Sequence, residues 1–213
     1  MGKETNVLLS SQEIEILQEV MNIAFGKASA DLADVVDIRV FLNVPYVEIL
    51  NASILPERIL KEVEEYGDIR IVEQNYWGKF KGTALLVFPS EAGKVLISLF
   101  EENLEEDIET EGVGFEKETL LEIGNILIGA CVGKIAGLLD DIVSYSPPKV
   151  LFKNIPNQSS LEGLADANKH AIFMKTIFHF EGKDVNGSLF LISGQDSLGW
   201  LKTALNNFLA KFA

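Results

Sequence analysis

The residues best suited to chemistry form two matching polar sets, Glu15, Glu19, Asn22 and Glu118, Glu122, Asn125, each in a stretch whose other positions are largely apolar. On an α-helix each residue advances about 100°, so positions i, i+4, i+7 and i+11 fall within roughly 40° of one line. Gly26 and Gly129 complete the two lines. Each therefore reads as a narrow polar groove ending in a glycine, an exposed face where a partner's backbone or side chain can approach closely. Carboxylates so near a helix start also stabilise it by roughly 0.3–1 kcal/mol without any further role, which accounts for Glu15 and Glu118. The asparagines have no such account, because Asn is a poor helix former in mid-helix.

Every member of the first set recurs 103 positions later. So do Glu13, Leu17, Ile23, Ala33, Asp37, Val40, Pro45 and Val47, as Glu116, Leu120, Ile126, Ala136, Asp140, Val143, Pro148 and Val150. A period this long means duplicated half-domains rather than a short-repeat solenoid. Glutamate and asparagine are costly to bury, so a chain that keeps both at two equivalent places is expected to use them.

The elements that must position these residues repeat as well. Ser10-Ser11 followed by Glu13 and Glu15 reads as a helix N-cap with an acidic first turn, opening a helix from about 12 to 35. Leu17, Val20, Met21, Ala24, Ala28 and Leu32 give it an apolar stripe at helical spacing. Short β-type runs follow at 40–42, 47–50, 69–73 and 83–88, then an amphipathic helix opened by Pro89-Ser90-Glu91 and running to about Phe100. Residues 101–111 are too acidic to bury and read as a solvated linker. The second half predicts a helix over 116–139, strands near 149–152, 171–180 and 187–193, a turn at 181–183 and a last helix over 196–211. Asp140-Asp141 reads as the turn that ends the second motif helix.

Composition narrows the function. A net charge of −14 without clustered Lys and Arg speaks against nucleic acid, whose binding depends on cationic contacts. Cys131 is the single cysteine, so no intramolecular disulfide forms; it reads as a buried, inert thiol in a reducing compartment. The apolar run 126–139 is short for a bilayer span and is interrupted by Lys134, and the first residues lack a signal's apolar core. A soluble, cytoplasmic protein without membrane contact is expected. With two histidines, His170 and His179, and one cysteine there is no metal-ligand spacing, and there is neither a phosphate-cradling glycine loop nor a serine nucleophile elbow.

Glu19-x-x-Asn22 with Pro45 after 22 intervening residues, and Glu122-x-x-Asn125 with Pro148 after the same 22, resemble the paired signature of the CheC/CheX family of response-regulator phosphatases. The resemblance covers most of the chain. Family patterns usually carry Asp or Ser four residues before the glutamate, where this chain has Glu15 and Glu118. The resemblance implies an α+β fold: a single CheC-like domain over 1–213 built from repeats at about 10–100 and 113–211, with pseudo-twofold symmetry, motif helices side by side and antiparallel β-sheets. It implies that Glu19 and Glu122 pair with the active-site lysine of a phosphorylated CheY-like response regulator, while Asn22 and Asn125 hold the water that attacks its aspartyl phosphate. Glu15, Gly26, Glu118 and Gly129 would contact the partner, and Pro45 and Pro148 would shape the chain beneath each helix. No cofactor of its own is implied; a Mg ion sits on the regulator. Two alternatives accompany this reading. One is an adaptor that binds a response regulator or a CheD-like deamidase. The other is a flagellar-switch component of FliY type, disfavoured by the absence of a further domain after Ala213.

Overall fold

In the computed structural model, which describes residues 8–36, 39–43, 45–92, 95, 112–153, 161, 164, 166–182 and 185–211, helix α1 (Ser11–Val36) starts at a reciprocal cap. Ser10 Oγ accepts from the Glu13 amide at 3.2 Å, and the Glu13 carboxylate accepts from the Ser10 amide at 2.6 Å, which satisfies two donors that a helix start leaves open. Helix α1 leads into β1 (Val40–Leu42) and β2 (Tyr46–Asn51), then α2 (Leu55–Glu62), β3 (Ile69–Trp77) and β4 (Gly82–Pro89). The second part contains α3 (Gly112–Leu138), β5 (Ser144–Tyr145), β6 (Lys149–Lys153), β7 (His170–Phe180), β8 (Asn186–Gly194) and α4 (Leu198–Ala210). The expected linker 101–111 and most of the helix expected to reach Phe100 lie outside the described residues.

All ladders are antiparallel, and they join the strands into one eight-stranded sheet in the order β1-β7-β8-β4-β3-β5, with β2 also on β7 and β6 also on β3. The fold is α+β, as expected. The outer pairs are exchanged: β1 and β2, from the first part of the chain, lie on β7, while β5 and β6 lie on β3. Val47 faces Met174, and its repeat mate Val150 faces Val72. The break between the outer strands is matched too. The Asn43 amide donates to the Ile177 carbonyl and the Ser146 amide to the Asn75 carbonyl, both at 2.9 Å. Pro45 and Pro148 sit at these breaks, where a residue without an N–H costs the ladder nothing.

Alternation along the strands divides the interior into two cores. Val72, Tyr76, Leu86, Phe88, Met174 and Leu191 point to the layer of α1, α3 and α4. Ile69, Ile71, Leu85, Phe173 and Phe190 point to the opposite face, which Leu55 and Ile59 of α2 cover. Two elements here were not expected from sequence. Helix α2 spans barely two turns, and β5 is only two residues long. By length and composition α3 could cross a membrane, but Leu120, Ile123, Leu127, Ile128, Cys131 and Ile135 are buried in the fold. It closes on the sheet at Gly124, where an added Cβ would lie 2.4 Å from Val72 Cγ1. Helix α3 ends as Asp140 takes a left-handed conformation (φ 54°). The Asp140 amide then bonds the Gly137 carbonyl at 3.3 Å and the Asp141 amide bonds the Ala136 carbonyl at 2.8 Å, the Schellman arrangement. Asp141 also accepts from the Phe80 amide at 2.7 Å, which ties this turn to the β3–β4 connection.

Two predictions follow from the interior. Gly124→Ala forces α3 off β3 and is expected to lower stability by about 1–3 kcal/mol in urea unfolding; an unchanged midpoint would contradict the close approach. Burial pushes the Cys131 thiol from 9.0 up to about 12 and, with a smaller contribution from Cys131, the Tyr145 phenol from 10.0 up to about 12. Between pH 9 and 12 the unfolded chain therefore releases protons that the native chain keeps, so stability falls as pH rises through that window. The urea midpoint should drop across it, and Cys131 should react with a thiol reagent only after unfolding.

Candidate functional site

Helices α1 and α3 pack side by side on the same face of the sheet, bridged by an ion pair between Asp31 and Lys134. Each is held by its apolar arc. In α1, Leu17, Val20, Met21, Ala24, Phe25 and Ala28 are all 0–1% exposed. At about 100° per residue this arc lies on the side opposite the line of Glu15, Glu19, Asn22 and Gly26. Those four are accordingly exposed. Helix α3 does the same in its first turns: Glu118, Glu122 and Asn125 are exposed and Gly129 is half-buried. Beyond Gly129 the situation changes, because Val132 and Ala136, on the polar side of the helix, are also buried. The line on α3 therefore stops at Gly129, and each line runs about 16 Å along its helix.

The two glycines have open space where a Cβ would stand, with no atom within 4 Å, so neither is required for packing inside the molecule. Of the prolines, Pro45 is buried and Pro148 half-buried. The Pro45 carbonyl accepts from Gln18 Nε2 at 3.3 Å, a bond that ties α1 to the break between β1 and β2. The sequence positions that were grouped by helical spacing are thus brought together on two outward lines, with the prolines behind them.

The carboxamides differ in their surroundings. Asn22 has no hydrogen-bond partner among the described residues. Asn125 Oδ1 accepts from Gln74 Nε2 at 3.0 Å. Gln74, which sequence reading passed over, is 1% exposed on β3 and donates also to the Ser146 carbonyl at 2.9 Å. Its Oε1 is buried without a partner, a state that costs about 1–3 kcal/mol. The available signal was its phase: Val72, Gln74 and Tyr76 alternate on the core-facing side of β3, and the middle one carries a carboxamide where an apolar or aromatic side chain is expected. A further bond beneath the same line joins Tyr145 Oη to the Gly129 carbonyl at 3.3 Å. The histidines stand apart: the His170 amide bonds Gln195, and the His179 ring stacks on Phe41 at 4.9 Å.

No family model matches the chain. CheY-P phosphatase CheC of Bacillus subtilis (strain 168) is 23% identical over 207 residues, covering 92% of this chain and 95% of that protein. Among solved structures, FliY of Thermotoga maritima is similar with a TM-score of 0.72 at 19% identity, covering 94% of this chain and 99% of that one. A chemotaxis protein CheX from Desulfovibrio desulfuricans is similar with a TM-score of 0.51 at 12% identity, covering 82% and 99%. The similarity to CheC runs along nearly the whole sequence, and the fold is that of FliY and CheX. The CheC/CheX resemblance drawn from the paired motifs holds at both levels.

If the glycines serve an outside partner and not the fold, Gly26→Ala and Gly129→Ala should each raise stability by about 0.5–1 kcal/mol through helix propensity. Urea unfolding measures this, and a loss of stability would mean that these positions pack internally.

Proposed function

We propose that this chain is a phosphatase that removes phosphate from the aspartyl phosphate of a CheY-like response regulator in chemotaxis-type signalling. The observation that carries the reading is the pair of outward lines, Glu19 with Asn22 and Glu122 with Asn125, exposed on adjacent helices whose other faces are sunk in the core. The similarity to CheC over most of the sequence supports it. In this reading the chain is one cytoplasmic domain of two repeats, and the matched ladders of β2 on β7 and β6 on β3 support the repeat.

The chemistry asked of such a protein is modest. An aspartyl phosphate is already an activated leaving group, and the regulator's own Mg ion offsets charge on the phosphoryl oxygens. The missing element is a water held in line. The carboxamide of Asn22 or Asn125 supplies that hold, since it donates and accepts together and stays neutral throughout. Glu19 or Glu122 pairs with the regulator's lysine, which fixes how deep the asparagine sits and speeds association more than it adds affinity. Gly26 and Gly129, without side chains, let the regulator's surface close over the helix. No metal or cofactor of the chain's own enters this scheme.

A second reading is a non-catalytic adaptor of the same fold. There the lines would dock a regulator, or a CheD-like deamidase, without turnover. Docking alone does not call for a carboxamide at both positions.

The separating experiment follows phosphate loss from a phosphorylated CheY-like regulator. Asn22→Ala and Asn125→Ala singly should each keep part of the acceleration. The double variant should lose about a hundredfold and bind the regulator within about twofold of the parent. Discharge by the double variant at the parent's rate would sink the phosphatase reading.

A further inference from the structure

We infer that Gln74 is a positioning residue for the second line: it sets the plane of the Asn125 carboxamide. The inference rests on the phosphatase reading for its effect on turnover but on geometry for the positioning itself. Gln74 lies on β3 beneath α3 and divides its two Nε2 protons between the Ser146 carbonyl at 2.9 Å and Asn125 Oδ1 at 3.0 Å.

The molecule contains its own control. Because Val47 faces Met174 and Val150 faces Val72, Val72 is matched to Met174 and, two residues on, Gln74 to Thr176. Thr176 Oγ1 donates to the Asn43 carbonyl at 2.7 Å. Asn43 and Ser146 are repeat mates, so both donors satisfy the carbonyl at the break between the outer strands. A hydroxyl suffices for that duty in one half. What the longer glutamine adds in the other is the bond to Asn125, and it does so with Oε1 left buried and unpartnered. A residue that retains such a cost where threonine would serve is kept for the extra bond.

The consequence is chemical. With one Oδ1 lone pair engaged from below, the Asn125 amide turns about its terminal torsion only by breaking the bond to Gln74. The other lone pair and the Nδ2 protons are then presented outward, ready for a water and a partner group. Asn22 has no such tether among the described residues and must be ordered when a partner arrives.

Gln74→Thr copies the solution of the other half and keeps the donor to Ser146, while Gln74→Met removes both bonds as a second variant. In an Asn22→Ala background, which isolates the second line, Gln74→Thr should lower kcat about tenfold with KM within about twofold. The same substitution in an Asn125→Ala background reads any general damage to the fold. An unchanged kcat in the first background, or an equal loss in both, overturns the inference. A readout independent of turnover is ¹⁵N relaxation of the side-chain amides. Asn125 should be restricted and Asn22 mobile in the parent, and Gln74→Thr and Gln74→Met should each release Asn125. If the parent discharges no regulator, the phosphatase reading fails while this measurement still decides the positioning. Equal mobility of the two amides in the parent overturns it.

Discussion

The structure depends on one constraint: each motif helix must sink its apolar arc into the same face of the sheet. Burying Leu17, Met21, Ala24 and Ala28 fixes the rotation of α1 about its own axis, and Leu120, Ile123 and Leu127 do the same for α3. Once that rotation is set, nothing further is needed to expose the polar lines, because they occupy the opposite side at the same helical spacing. Each of the leucine, isoleucine and methionine side chains is worth about 1.5–3 kcal/mol when buried, so turning a line inward would forfeit several of these contributions and bury carboxylates as well. The site's outward direction is therefore secured by the core and not by the site residues.

The sheet in turn is secured by exchange. Strands β1 and β2 find their ladder on β7, and β5 and β6 find theirs on β3, so neither part of the chain can complete its edges without the other. This couples the two helices through the strands beneath them as well as through the Asp31–Lys134 pair between them. A rigid platform follows, with Pro45 and Pro148 at the breaks where the outer strands change segment.

Much of this was legible in the chain because local periodicity and global fold agree. The helices at 11–36 and 112–138 and the long strands declared themselves through spacing. What escaped had physical reasons. Helix α2 has only Leu55 and Ile59 as buried anchors, too few for a period, and β5 is a two-residue ladder that exists because Trp77 and Tyr76 are there to pair with. The close approach at Gly124 depends on Val72, far away in sequence. That Glu19 with Asn22, and Glu122 with Asn125, share an outward face followed from helical arithmetic, whereas Gln74 acts across the sheet–helix interface, where no periodic signal reports on the contact.

Matching letters do not make matching sites. Orientation is an entropic quantity: a side chain already held in its working geometry has less freedom to lose when a partner closes over it, and that saving passes into the bound or reacting state. Asn125 stands over Gln74 and, one turn on, Gly129 is tied to Tyr145; the repeat mate of Tyr145 is Leu42, which has no donor to offer. The first line has instead the bond from Gln18 to the Pro45 carbonyl, which steadies the helix against the strand break but leaves the Asn22 carboxamide untethered among the described residues. The duplicated motif thus supplies the same functional groups twice, while the residues behind them, which differ between the halves, determine how much order each must still acquire.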